Sequence, residues 1–162
     1  NYTTFGAGVA VPGTGISLQN RGANFSLDPA SDNCLAGGKR SYHTIIPGFL
    51  LKDGTAIGPF GVMGAFMQPQ GQTEILVNTL DYHMNPQEAL DAPRIQWIGG
   101  RRLELEREAG EAIADELRAM GHEVTVVDDR ISMGRGQIIW RGEDGVYTAG
   151  TEPRCDGTVA AW

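Results

Sequence analysis

The side chains most often used in catalysis and metal binding are few in this sequence and widely spaced. The histidines, His43, His83 and His122, lie far apart without HxH or HxxxH spacing, and Cys34 and Cys155 form no CxxC pair. We therefore expect no metal site and no cofactor. Two reduced thiols are the simpler prediction, although the cysteines could form a disulfide in an oxidising compartment.

Size and charge limit the classes of function. The chain of 162 residues is long enough for one domain, 1–162, with its own core. A net charge of -7 argues against nucleic-acid binding, because the basic pairs Lys39-Arg40 and Arg101-Arg102 are isolated. No apolar run approaches the roughly 18 to 20 residues that cross a bilayer, so we expect no membrane contact by this chain.

The first half of the chain is rich in glycine and poor in charge. Glycines between short apolar runs predict brief strands with tight turns, as at Val9–Val11 and Ile16–Leu18. The nearly continuous apolar run Tyr42–Leu51 predicts a strand buried on both faces, with Pro47 at an edge or a bulge. A turn is predicted at Lys52-Asp53-Gly54.

The second half alternates helical and strand patterns. Helices are predicted over Thr73–Asp81, from Asn85-Pro86 to a stop before Pro93, and over Glu111–Met120. Strands are predicted at Ile95–Ile98, Arg102–Glu106, Glu123–Asp128 and in a hairpin of Gly136–Arg141 with Gly145–Gly150. This order of elements favours an α+β domain built in layers.

Several stretches, in this order, resemble the small C-terminal subunit of the γ-glutamyltranspeptidase family. Each alone is a weak glycine- or proline-rich string, but their order and spacing are specific and cover essentially the whole chain. They are Thr3–Gly8 with Gly15–Asn20 and Asn24–Ser26, Gly38–Ser41 with His43–Pro47, Phe60–Ala65, Val77–Asn78 with Asp81–Tyr82, Met84–Pro86, Glu88-Ala89 and Ala92–Arg94, and the tail Glu152–Arg154 with Asp156-Gly157.

The resemblance implies an N-terminal-nucleophile (Ntn) hydrolase with a four-layer α/β/β/α sandwich, made as a precursor that cuts itself ahead of a threonine. That threonine is the nucleophile, and its α-amine, with an ordinary pKa of about 7.7–8, can accept the hydroxyl proton. By resemblance the nucleophile lies upstream of this chain, so Thr3 and Thr4 are expected to be strand residues beside the active site. The large N-terminal subunit of the same precursor is the expected partner.

Two groups of site residues follow from the resemblance. Gly64 and Ala65 match a glycine pair whose backbone amides form the oxyanion hole, where small residues let the peptide approach a developing negative oxygen. His43 and Thr44 match two serines that bind the substrate's α-carboxylate. Tyr2 lies at or next to the position of a substrate-contacting asparagine, and Asn1 could fill that role only with a one-residue shift.

Two further positions depart from the family pattern. Arg21 replaces a neutral polar residue, and Asn24 replaces an aspartate that pairs with the donor's α-ammonium group. Both changes make the subsite more positive, which disfavours an ammonium group and favours a second carboxylate. Arg94 and Arg154 are expected to hold loops.

The resulting interpretation is an enzyme subunit, inactive alone, that cleaves a γ-glutamyl or related acyl amide through a threonyl ester, by hydrolysis or transfer. The charge changes favour N-blocked glutamates, γ-linked polyglutamate or dicarboxylic acyl amides as substrates. A glutaryl or cephalosporin-type acylase, or a non-catalytic structural subunit, are the alternatives. The resemblance favours the cytoplasm over the periplasm or secretion.

Overall fold

The computed structural model describes residues 1–162, which divide into two units, Asn1–Ile45 and Ile46–Trp162. The organisation as a single domain stays a prediction. None of the α-helices is both long and apolar enough to span a bilayer.

The first unit is mostly irregular, with one 3-10 helix at Arg21–Asn24. The strands predicted at Val9–Val11 and Ile16–Leu18 are reduced to one antiparallel bridge between Ala10 and Ser17. Glycines at positive φ on both sides, such as Gly8 at 72° and Gly15 at 68°, bend the chain away from extended geometry and stop the ladder from growing.

Asn20 anchors the first residues of this unit. Its side-chain oxygen accepts hydrogen bonds from the amides of Tyr2 (3.1 Å) and Thr3 (3.0 Å), and its amide nitrogen donates to the carbonyls of Thr3 and Gly6. A β-carbon on Gly6 would lie 2.3 Å from the Leu18 carbonyl oxygen, so only glycine fits there. One amide side chain thus fixes Tyr2 next to the 3-10 helix.

The second unit contains three α-helices and seven strands in two sheets, so the predicted α+β fold class is confirmed. The antiparallel four-stranded sheet has the order β1-β2-β6-β7, and in the three-stranded sheet, of order β3-β4-β5, β4 and β5 are parallel. The elements are β1 Gly48–Lys52, β2 Thr55–Met63, α1 Met67–Leu80, α2 Pro86–Asp91, β3 Ile95–Gly99, β4 Arg102–Glu106, α3 Glu111–Ala119, β5 Glu123–Val127, β6 Arg135–Arg141 and β7 Tyr147–Thr151.

The core of the second unit lies between the four-stranded sheet and helices α1 and α2. It is built from Phe60, Val62, Ile75, Leu90, Ile138 and Trp140. Gly71 lets α1 approach the sheet, because a β-carbon there would lie 2.9 Å from a methyl group of Val62. The helix begins at Met67, before the predicted Thr73, since Pro69 falls in its first turn, where the missing N–H costs nothing.

The run Tyr42–Leu51 is not one strand. Only Gly48–Lys52 pairs in the sheet, because Pro47 lacks an N–H for the ladder. The expected burial on both faces is also absent in this chain, since Phe49 and Leu51 are more than half exposed on the sheet face opposite the helices. The predicted turn is confirmed: Asp53 and Gly54 have φ of 52° and 79°, as a two-residue hairpin loop requires.

The remaining predictions for the second half agree with the structure to within a few residues. Helix α2 starts with a capping box, in which the Asn85 side chain accepts from the Glu88 amide and the Glu88 side chain accepts from the Asn85 amide. Helix α3 connects the parallel strands β4 and β5, and β6 and β7 form the predicted hairpin.

Candidate active site

The connection between β2 and α1 carries the two residues expected to form an oxyanion hole. Gly64 has φ 143° and Ala65 has φ 51°, and α1 starts two residues later at Met67. We call Gly64 and Ala65 the Gly64 turn. Their carbonyl oxygens accept hydrogen bonds from Met67 and Gln68, while neither of their amides donates to an acceptor of this chain. The turn therefore presents two unused N–H groups at the positive end of a helix, where a negative oxygen is stabilised.

Close packing explains the glycine at position 64. A β-carbon there would lie 2.9 Å from the α-carbon of Gly134, which precedes β6, so the two backbones are in direct contact. Ala65 occupies the left-handed region with a side chain, at a cost of about 1 kcal/mol relative to glycine. The turn is thus held in its shape by its neighbours rather than by local preference.

In the first unit, Arg21 is fixed by neutral partners. Its Nε donates to the Thr44 hydroxyl at 2.9 Å, and its Nη1 donates to the Gln19 side-chain oxygen at 2.8 Å. Its guanidinium carbon lies 5.9 Å from the centre of the Tyr2 ring, within cation–π range. No carboxylate of the chain lies within 4.0 Å of this guanidinium, so it forms no ion pair.

A cavity of about 430 Å³ opens beside Arg21 within the same unit. Its lining is basic or neutral, without a carboxylate: Gln19, Arg21, Gly22, Phe25, Arg40, Ser41 and His43. The Nδ1 atom of His43 accepts the Ile45 amide at 3.2 Å, so a neutral ring carries its proton on Nε2, which is then a donor. Such a lining is suited to an anionic ligand.

Asn24 closes the 3-10 helix and has an unsatisfied side chain. Its backbone carbonyl accepts from the Asn33 side chain at 2.6 Å, but its own Nδ2 atom is buried without a hydrogen-bond partner. A buried amide donor without an acceptor is costly, and in a binding site it is commonly satisfied by the ligand.

The structure brings Tyr2, Arg21 and Thr44 into contact, and places His43 on the cavity that Arg21 lines. Gly64 and Ala65 belong to the second unit. Sequence reasoning missed three supporting residues: Asn20, which holds Tyr2, Gln19, which holds Arg21, and Arg40 on the cavity wall. Gln19 and Asn20 lie in the family-like stretch Gly15–Asn20, but nothing in that stretch assigns them a contact.

Arg94 and Arg154 hold loops, as predicted. Arg94, only 2% exposed, donates to the carbonyls of Met133 (2.8 Å) and Gly134 (3.1 Å) and pairs with Glu152 (2.9 Å). Arg154 donates to the carbonyls of Leu90 and Ala92 and pairs with Glu106 and Glu152. We call Arg94, Glu106, Glu152 and Arg154 the ion-pair cluster.

The surroundings of Arg94 and Glu152 shift the pKa values of these two groups. Burial raises the pKa of Glu152, but the hydrogen bond from Arg154, the charge of Arg94 and the Gly136 amide outweigh burial and lower it. Burial lowers the pKa of Arg94, and the neighbouring positive charge of Arg154 lowers it further. The two carboxylates match the two guanidinium groups in number, so the cluster is neutral when all four are ionised.

Glu74 is a separate, partly buried carboxyl group on α1. It and Gln70, one turn earlier, pair with the free edge of β3: Glu74 accepts the Ile95 amide at 3.3 Å, and Gln70 accepts the Trp97 amide at 2.7 Å. The second oxygen of Glu74 is buried without a partner. Burial raises the pKa of Glu74 from 4.5 to about 7, against the hydrogen bond from Ile95 and the charge of Arg94.

The sequence matches the γ-glutamyltranspeptidase family model over residues 1–162. The chain belongs to the γ-glutamyltranspeptidase family.

Named proteins of the family are similar over nearly the whole chain. The chain is 39% identical to the glutathione hydrolase-like YwrD proenzyme of Bacillus subtilis, over 98% of this chain and 31% of that protein. It is 36% identical to the oxamate amidohydrolase proenzyme of Klebsiella pneumoniae, over 99% of this chain and 32% of that protein. The chain thus spans about a third of the length of these γ-glutamyltranspeptidase relatives.

A crystal structure of a cephalosporin acylase from Bacillus halodurans has the same fold. It superposes with a TM-score of 0.87 at 59% identity, covering 99% of this chain and 30% of that one. The fold class predicted for this γ-glutamyltranspeptidase family member, the Ntn-hydrolase sandwich, is confirmed by this match.

Proposed function

We propose that this chain is the small-subunit part of an amide acylase whose acyl group carries a second carboxylate and no free α-ammonium group. The observation that carries the proposal is the Arg21 guanidinium, which Gln19 and Thr44 hold in place and which no carboxylate of the chain neutralises. A fixed, uncompensated guanidinium beside a cavity favours a carboxylate ligand, because the paired form recovers charge and hydrogen bonds together.

The lack of a negative partner for an ammonium group points the same way. Asn24, at the position of the family's aspartate, offers a buried amide nitrogen without an acceptor. An ammonium group there would meet a second donor and the positive charge of Arg21, whereas a carboxylate oxygen would satisfy the amide.

The relatives' names are consistent with this substrate class. One is an oxamate amidohydrolase, and oxamate is the monoamide of a dicarboxylic acid without an α-amine. Another is a cephalosporin acylase, which favours the acylase alternative over glutathione hydrolysis. The γ-glutamyl specificity suggested by the hydrolase-like relative is the competing possibility.

In the proposed reaction, a threonine hydroxyl from outside these 162 residues attacks the amide carbonyl and gives its proton to its own α-amine. The carbonyl π electrons move to oxygen, and the unused amides of Gly64 and Ala65 stabilise that oxyanion. Collapse expels the amine, which takes the proton, and leaves a threonyl ester. Water or an amine then attacks the ester, releasing the acid or a new amide and restoring the threonine.

The large N-terminal subunit of the same precursor is the proposed partner. The face of the four-stranded sheet opposite the helices exposes Phe49, Leu51 and Ile139 by 43–59%. An apolar sheet face of this kind is normally covered in a sandwich fold. We expect an obligate interface above about 2,000 Å².

The test is a kinetic comparison of glutaryl and γ-glutamyl p-nitroanilides on the full-length, matured protein. These donors differ only in the α-ammonium group, and we expect the glutaryl compound to have the higher kcat/KM. Arg21→Gln should reduce its kcat/KM, chiefly through KM. Lys39→Gln is the matched control, since Lys39 is a cation of the same unit that does not line the cavity. A strong preference of the wild-type protein for the γ-glutamyl donor would refute the proposed substrate class.

A further inference from the structure

Arg94 contacts the backbone of Gly134, and Gly134 in turn packs against Gly64. Its Nη1 atom donates to the carbonyls of Met133 and Gly134, and its Nη2 atom pairs with Glu152. The same Glu152 oxygen accepts the Gly136 amide at 2.6 Å. One buried guanidinium and its carboxylate therefore hold three backbone groups between Met133 and Gly136.

The segment held by Arg94, residues 133–136, packs against the Gly64 turn. Strands β2 and β6 pair up to Met63 and Arg135, so Gly64 and Gly134 face each other just beyond the last pair. A β-carbon on Gly134 would lie 2.8 Å from the Met63 carbonyl oxygen and 2.6 Å from a methyl group of Val62. Nothing larger than glycine fits between the two backbones. A displacement of the Gly134 backbone must therefore also displace Gly64.

We infer that Arg94 is a positioning residue for the reaction, fixing the Gly64 turn through the backbone of Met133 and Gly134. It touches no substrate. Its planar guanidinium reaches two carbonyls and a carboxylate at once, which an ammonium group on a flexible stem cannot do in the same geometry. The inference rests on the proposed function, in which the amides of Gly64 and Ala65 bind the oxyanion.

Arg154 provides a matched comparison within the same ion-pair cluster. Its side chain is equally buried and pairs with Glu106 and Glu152, but its carbonyl partners are Leu90 and Ala92, at the end of α2. It makes no hydrogen bond to Met133 or Gly134. A loss of cluster stability should appear in variants of both arginines, whereas displacement of the Gly64 turn should appear only in variants of Arg94.

The experiment measures kcat and KM of the full-length, matured protein with the glutaryl anilide, first for wild type and then for Arg94→Lys and Arg154→Lys. We expect Arg94→Lys to lower kcat about 100-fold, the loss typical of a misplacement of about 1 Å in a reacting group, with KM changed less than about twofold. The inhibition constant of 4-boronobutanoate, which forms a tetrahedral adduct, should rise in parallel with the kcat loss, while that of glutarate stays constant. Arg154→Lys should lower the unfolding midpoint and leave kcat within about twofold.

A second variant tests the inference if Arg94→Lys fails to fold or mature. Arg94→Gln with Glu152→Gln removes both charges together, so no uncompensated ion remains buried, and it should show the same selective loss of kcat. If the wild-type protein is active, either of two results overturns the positioning role alone. One is an Arg94→Lys kcat no lower than that of Arg154→Lys, and the other is a wild-type kcat in the double variant. A wild-type protein that cleaves no acyl anilide overturns the proposed function and this inference with it.

Discussion

Gly64 and Gly134 lie so close together that a β-carbon on Gly64 would come within 2.9 Å of the Gly134 α-carbon. The contact joins the end of β2 to the start of β6 at the point where their pairing stops. The two unused amides of the Gly64 turn are held by this backbone contact.

Gly64→Ala is therefore expected to be harmful. The new methyl group must displace the Gly134 backbone at a φ of 143°, and overpacking of this kind costs roughly 1–3 kcal/mol. We expect a lower unfolding midpoint and a loss of kcat together, measured by thermal unfolding and anilide hydrolysis of the full-length protein.

Ala65→Gly is the matched change at the neighbouring position. It relieves the left-handed conformation of Ala65 but adds freedom to the unfolded chain, so the free energy of unfolding should change by less than about 1 kcal/mol. Activity should be retained, because the residue contributes its amide. Equal losses in both variants would contradict the packing explanation.

Asn24→Asp should change the choice of acyl donor. The new carboxylate restores a partner for an α-ammonium group and repels a second carboxylate. We expect the ratio of kcat/KM for γ-glutamyl to glutaryl anilide to rise about tenfold, equivalent to about 1.4 kcal/mol. Asn33→Asp is the matched control: it introduces the same charge at a neighbouring asparagine whose side chain is already engaged by the Asn24 carbonyl and the Tyr42 amide, and it should leave that ratio nearly unchanged.

Glu74→Gln should alter how stability depends on pH. The folded-state pKa of about 7 exceeds the ordinary 4.5, so the folded protein binds more protons than the unfolded chain between these values, and stability falls as pH rises from about 4.5 to about 7. Glutamine keeps the acceptor for the Ile95 amide without the charge. We expect a gain of roughly 3 kcal/mol at pH 8 and almost none at pH 4, read from unfolding midpoints across pH. A pH-independent difference would show that Glu74 is not the titrating group.

Glu152→Gln should destabilise the ion-pair cluster. It leaves Arg94 and Arg154 with one buried carboxylate between them, and removing one partner of a buried ion pair typically costs about 3–5 kcal/mol. Because the pKa of Glu152 is lowered, its contribution is present above the unfolded-state pKa and is lost as pH falls through the folded-state value. The difference in unfolding midpoint between variant and wild type should therefore narrow in acid.

The sequence predicts elements best where local chemistry decides them. Asn85, Pro86 and Glu88 specify the start of α2 by capping, and Asp53-Gly54 specifies a hairpin by its φ values. Strand β2 is not predicted from the sequence, because Gly58 and Pro59 are poor strand formers. Gly58 is required by a long-range contact, since a β-carbon there would lie 1.9 Å from the Ile139 carbonyl oxygen.

In the candidate site, too, some residues are identified from the sequence and others only from tertiary contacts. Arg21, His43 and Thr44 are found through their likeness to a family pattern, and their roles stay predictions. The contacts that hold the site are not predictable in the same way: Gln19 binds Arg21 and Asn20 binds the Tyr2 amide only once the chain folds back on itself. The reach of Arg94 to Gly134 depends on tertiary packing that no sequence window contains.

The pairing of β2 with β6 has a consequence for the order of folding. All of the three-stranded sheet and all three helices lie between these two strands in the chain, so their pairing closes the longest loop in the second unit. Loop closure is slower and loses more entropy as the loop grows, whereas the β1-β2 and β6-β7 hairpins and the β4-α3-β5 crossover need only local contacts. We expect those pieces to form first and the Gly64 turn to take its shape last, in the step that completes the sheet.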